Sequence, residues 1–124
     1  MTFRFRSSDQ PGRDLWCPSS EVARAFVGTA EVFSHVFDVD SGIGDPVDGV
    51  CVIDFRDFGA LCAAVVDRFG TTDQGILRSL SLGFVATSLV LIDRAGRPAP
   101  AMPGPAQERA WAALRDQHAR VMPV

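Results

Sequence analysis

The sequence predicts a mainly α protein, a four-helix assembly with a minor two-stranded β element. Three observations predict it. Apolar residues recur at spacings of three and four over long segments, which is the period of one face of a helix. Those segments begin at residues suited to cap or open a helix. Only two short stretches, Phe3 to Arg6 and Val50 to Ile53, carry strand character. With 124 residues, 47% of them hydrophobic and 22% charged, the chain reads as one domain spanning 1–124. That length closes a single core without disulfide or metal staples.

At the N-terminus Phe3 and Phe5 alternate with Arg4 and Arg6, the pattern of a half-buried strand. A polar turn with Pro11 and Gly12 follows, and Pro18 with the serines after it prepares a helix start capped by Ser19. This first helix runs to about Phe37, with Val22, Phe26, Thr29, Phe33 and Val36 as its apolar stripe. The stretch DVDSGIGDPVDG, from Asp38 to Gly49, reads as a glycine–proline turn. GVCVID then reads as a buried strand able to pair with the N-terminal one.

Asp54 caps a second helix, with Asp57 in its first turn and Phe55, Phe58, Cys62, Val65 and Phe69 on its core face, ending at Gly70. Thr71 and Gln74, three residues apart in TTDQ, offer a reciprocal cap for a third helix and so a tight antiparallel helix pair. The third helix has Leu77, Leu80, Phe84 and Leu91 on one face and Leu82, Val85, Leu89 and Ile92 on the others. Apolar nearly all round, it belongs at the centre or in a homodimer interface. A strand over Phe84 to Ile92 competes with this reading; Arg94 and Gly96 at its end favour helix. RPAPAMPGP, residues 97–105, holds four prolines and predicts an extended linker. A last helix starts at Pro105, with Glu108 in its first turn and Trp111, Leu114, His118 and Val121 on one face.

Composition removes several functions. The net charge is −3 and all twelve positive residues are arginines spread along the chain, so there is no basic footprint for nucleic acid. The absence of lysine matches a GC-rich bacterial codon bias, and it rules out Schiff-base chemistry on an ε-amine. Cys17, Cys51 and Cys62 cannot all pair, and the N-terminus lacks the apolar core of a signal peptide, so a cytoplasmic protein with reduced thiols is expected. The longest apolar run, Leu82 to Ile92, is shorter than the ~20 residues of a membrane helix. With two histidines, His35 and His118, a three-histidine zinc site is impossible. No metal and no cofactor is expected.

The segments LWCPSS, SGIG, VID, GFVATSLVL and RAG occur in that order between Leu15 and Gly96. Together they resemble a small actinobacterial family of unknown function, with Leu-Trp-x-Pro-Ser, Ser-Gly-Ile-Gly and Gly-Phe-x-Ala-Thr segments. The resemblance implies no activity and no catalytic residues.

The candidate site is therefore built from residue chemistry. Asp38 and Asp40 match the first two ligands of a calcium loop, but Gly42, Ile43 and Gly49 stand at three positions where such a loop needs other residues. Between Asp38 and Asp57 there are six aspartates and only Arg56 opposes them; two of the six, Asp54 and Asp57, serve a helix start. The rest form an acidic rim able to steer a cationic partner. Ile43, between Gly42 and Gly44, is expected to project as an apolar tip flanked by Asp40 and Asp45. Trp16 reads either as a core lid or as an exposed contact. Trp16, Asp38, Asp40, Ile43 and Asp45 are thus the expected contact residues. They point to a non-enzymatic binding protein, of accessory or immunity type, that engages a protein partner or small molecule. The rival is a small cofactor-independent enzyme of secondary metabolism, with an aspartate base in a pocket between the first and third helices.

Overall fold

Local signals and long-range packing divide the work of building this chain, whose residues 2–124 are described by a computed structural model. The elements run β1 (Arg4–Ser7), β2 (Gln10–Trp16), α1 (Ser20–Phe37), β3 (Val50–Ile53), α2 (Phe55–Thr71), α3 (Gly75–Arg94) and α4 (Pro105–Ala119). The four helices are those expected. The β element is larger, a three-stranded mixed sheet in the order β2-β1-β3.

β1 does pair with β3, and the pairing is parallel, from Arg4 opposite Val50 to Ser7 opposite Ile53. Parallel neighbours need a long crossover, and β2, α1 and the acidic loop supply it. The extra strand is β2, which pairs antiparallel with β1 through register irregularities. Its sequence, QPGRDLW, holds a proline and a glycine and was expected to turn. Proline is tolerated because β2 is an edge strand, and only Leu15 and Trp16 at its end are buried. Across this pair Arg6 binds Asp14 at 2.6 Å, and its guanidinium holds the Asp14 carboxyl below the usual carboxylate range.

The caps form as local chemistry dictates at two of the three expected sites. Ser19 Oγ accepts from Val22 N at 3.3 Å at the start of α1, and the Asp54 carboxylate accepts from Arg56 N at 2.9 Å at the start of α2. The third, reciprocal cap does not form. α2 extends through Thr71, α3 starts only after Gln74, and Thr72 Oγ1 instead accepts from Gln74 N in a local turn.

The core face of α1 is also rotated from the expected one. Ala23, Phe26, Ala30 and Phe33 are buried, whereas Val22 and Val36 are 48% and 59% exposed. Aromatic packing decides this: Phe84 of α3 lies 5.6 Å from Phe26 and 5.2 Å from Phe33, ring centre to ring centre. α3 is helical throughout and is buried on every side from Phe84 to Ile92 except at Thr87. It is long and apolar enough to cross a membrane by length and composition, but half of its most apolar window is packed inside the protein. In α4, Pro105 opens the helix and Trp111 anchors it against Phe69. Val121, expected on the same face, lies past the helix end and is 77% exposed.

The C-terminal segment is tied back to the sheet. Cys17 N donates to Pro123 O at 2.8 Å. Arg94 donates to the carbonyls of Leu15, Ala119 and Met122 at 2.8, 3.2 and 2.9 Å.

Candidate functional site

The acidic stretch is a strap with several fastenings rather than a simple turn. α1 ends when Asp38 adopts a left-handed conformation (φ 54°), and both its N–H and that of Val39 return to Ser34 O. Ser34 Oγ donates to Val39 O, which locks the reversal. Next, Gly42 presses against the start of α2, where Asp54 N donates to Gly42 O at 2.7 Å. The chain then runs beside β3: Ile43 bridges Ile53, and Gly44 N donates to Val52 O at 2.9 Å. It returns through a two-residue hairpin in which Val47 and Val50 exchange two bonds of 3.0 Å. Asp48 and Gly49 both have positive φ, 52° and 76°, as this tight hairpin geometry demands. Asp-Gly between two valines was the readable signal for it.

This path corrects the expected tip. Ile43 is half-buried and packs against the core, because its bridge to Ile53 turns it inward. Val47 takes its place on the outside, 69% exposed between Asp45 and Asp48. Trp16 is likewise a core residue, 4% exposed, stacked on Phe5 at 5.2 Å and edge-on to Phe26 at 5.4 Å. β2 carries it inward, so it offers no exposed contact surface.

Asp38, Asp40, Asp45 and Asp48 are all exposed. None of them has an ion-pair partner among the described residues, where the pairs are Arg6–Asp14, Arg97–Asp9 and Arg115–Asp116. Asp38 and Asp40 join Glu31, Ser34 and His35 around a shallow polar cup at the C-terminal end of α1. Among the described residues no group of histidine, cysteine or acidic side chains is arranged to hold a metal ion.

The expected α1/α3 pocket exists as a groove, with Val22, Ala25 and Thr29 on one wall and Leu80, Gly83 and Thr87 on the other. It contains no carboxylate, and His118 is its titratable group. An aspartate base is therefore not placed there. The thiols are also poorly prepared as nucleophiles, since the thiolate is the reactive form. Burial pushes Cys17 and Cys51 up, with Asp14 and Asp45 respectively adding to the effect, and burial alone pushes Cys62 up to about 12.

The raised thiol values make a pH prediction. A group whose folded pKa exceeds its unfolded one stabilises the fold below the unfolded value and ceases to do so as pH climbs toward the folded value. For Cys62 that window opens at the ordinary value of 9.0 and extends to about 12. Stability should therefore fall between pH 9 and 11, at up to about 1.4 kcal/mol per pH unit from this thiol. Urea unfolding of the protein and of Cys62→Ala across that range checks it. Equal slopes in the two proteins would remove Cys62 as the cause.

Among known proteins, a family model described as "Family of unknown function (DUF6086)" matches residues 1–124. No curated protein and no solved structure matched the chain.

Proposed function

Since the chain belongs along its whole length to a family of unknown function, DUF6086, its role must be argued from its own surfaces, and we propose that it is a non-enzymatic binding protein of accessory or immunity type that engages a positively charged protein partner through the acidic loop. The observation that carries this reading is Asp38. It occupies a left-handed position at a helix C-terminus, where glycine or asparagine is the usual stabilising choice and where negative charge opposes the helix dipole. Local rules are broken in this way chiefly where function demands it. Asp40, Asp45 and Asp48 repeat the sign nearby in sequence with no ion-pair partner among the described residues. Unpaired charges of one sign accelerate encounter with a cationic surface, and an exposed aliphatic such as Val47 adds a short-range anchor.

Two outcomes follow for Asp38→Asn. Stability should rise by about 0.5–1 kcal/mol, because the dipole conflict is removed and asparagine suits the left-handed position. Binding should weaken. The test places a benzophenone side chain at position 47, irradiates extracts of the cells that make the protein at low and high salt, and compares adducts with and without neutralisation of the four loop aspartates to asparagine. A discrete protein adduct that disappears on neutralisation and at high salt supports the reading. An adduct indifferent to both, or none at position 47 while the same probe at exposed Thr71 is captured, would overturn it.

A further inference from the structure

We propose a second binding site, separate from the acidic loop: the cleft between α3, the proline-rich linker and α4 takes a small organic amine with an apolar body. The cleft has a volume of about 520 Å³, within the ~300–1,000 Å³ of small-molecule sites. Leu89 and Ile92 of the buried α3 and Trp111 of α4 line it, and Met102 of the linker stands beside them. Trp111 is 3% exposed and held edge-on by Phe69 at 5.0 Å, so this lining is fixed before any ligand arrives.

The linker wall is pre-organised too. Pro98, Pro100 and Pro103 restrict its backbone, and Met102 packs against the core. A wall ordered in advance removes part of the entropy lost on binding. This is a role for the prolines that chain connection alone does not require.

Charge selects the ligand class. Four charged side chains border the cleft: Asp93, Glu108, Arg97 and Arg115. Both cations are already engaged, Arg97 by Asp9 and Arg115 by Asp116. Asp93 and Glu108 have no ion-pair partner among the described residues, and Asp93 acts through space on the neighbouring Arg94, which leaves Glu108 the freer of the two. The charge without an ion-pair partner is therefore negative and stands beside accessible apolar surface from Pro100, Met102 and Ala112, backed by the buried Leu89, Ile92 and Trp111, which suits an ammonium head on an apolar body.

The probe is 4-phenylbutylamine, with 4-phenylbutyrate as its anionic counterpart, titrated into the full chain and followed by backbone amide shifts. A 13.4 kDa protein is suited to that measurement. The amine is expected to shift amides of residues 89–115 and to bind at least about tenfold more tightly than the acid, a difference of about 1.4 kcal/mol. The Asp93→Asn, Glu108→Gln double variant, checked for an unchanged fold by its own amide spectrum, should lose most of that preference. Equal binding of amine and acid, no shifts with millimolar amine, or shifts confined to residues 31–49 would each overturn the proposal. The last outcome would assign the amine to the acidic loop, while failure of the loop's partner capture leaves this titration unaffected.

Discussion

Gly42→Ala is expected to destabilise the protein by about 3 kcal/mol or more, the larger effect of any single methyl group added to the acidic strap. Gly42 has φ +72°, where an L side chain is strained, and an added Cβ would lie 2.5 Å from Asp54 O and 2.7 Å from Phe58 N. Both atoms are backbone, and they are the two ends of the first hydrogen bond of α2, 3.0 Å long. Relief requires moving either the helix start or the strap, and moving the strap breaks the bond from Asp54 N to Gly42 O. Gly49 is the internal control. It has φ +76°, but its nearest neighbour would be Thr2 O at 3.5 Å, an ordinary contact. Gly49→Ala therefore meets only the left-handed strain, about 1–2 kcal/mol. Urea unfolding of both variants checks the ordering; equal losses would mean that the close approach to α2 contributes nothing.

Structure decided within a few residues is legible in this sequence, and structure decided by distant packing is not. Ser19, Asp54 and Pro105 were legible because a cap is decided within four residues. The face of α1 was legible only in part: Phe26 and Phe33 belong to both the expected and the observed face, but Val22, Thr29 and Val36 flank them in a pattern about as apolar as Ala23 and Ala30 on the other side. Only the arrival of Phe84 from α3 decides between them. β2 escaped because an edge strand needs neither alternation nor a full set of N–H donors, so Pro11 and Gly12 disguised it as a turn. In the candidate site the aspartates were found from charge alone, and all four stay exposed. Their geometry was misjudged at Ile43, whose inward turn depends on β3 and the start of α2. The Asp48–Gly49 pair held the information that placed Val47 outside, and it was local all along.

Replacing Arg94 is expected to have the other large effect, and the lysine variant is the informative one. Arg94 lies at the end of α3, yet its guanidinium reaches the carbonyls of Leu15 in β2, of Ala119 at the end of α4 and of Met122 in the tail after it. Ala119 O belongs to the last turn of α4, where carbonyls have no intrahelical partner, and Met122 O lies in the tail beyond it, so one side chain ties both the helix end and the tail to the sheet. Burial lowers the Arg94 pKa, but a guanidinium stays charged at any working pH. Arg94→Ala should cost about 3 kcal/mol, since hydrogen bonds from a charged donor contribute about 1.5–3 kcal/mol each and the freed carbonyls regain some water. Arg94→Lys keeps the charge but loses the planar fork, so it should recover less than half of that loss. Local readout separates this from general weakening. Amide exchange at Val121 and Met122 should accelerate in both variants more than at Val85 or Leu91, because the bond from Cys17 N to Pro123 O holds the tail only at its far end. If Arg94→Lys stayed within about 0.5 kcal/mol of the parent with the tail still protected, charge alone would hold the C-terminus and the three-carbonyl geometry would be incidental.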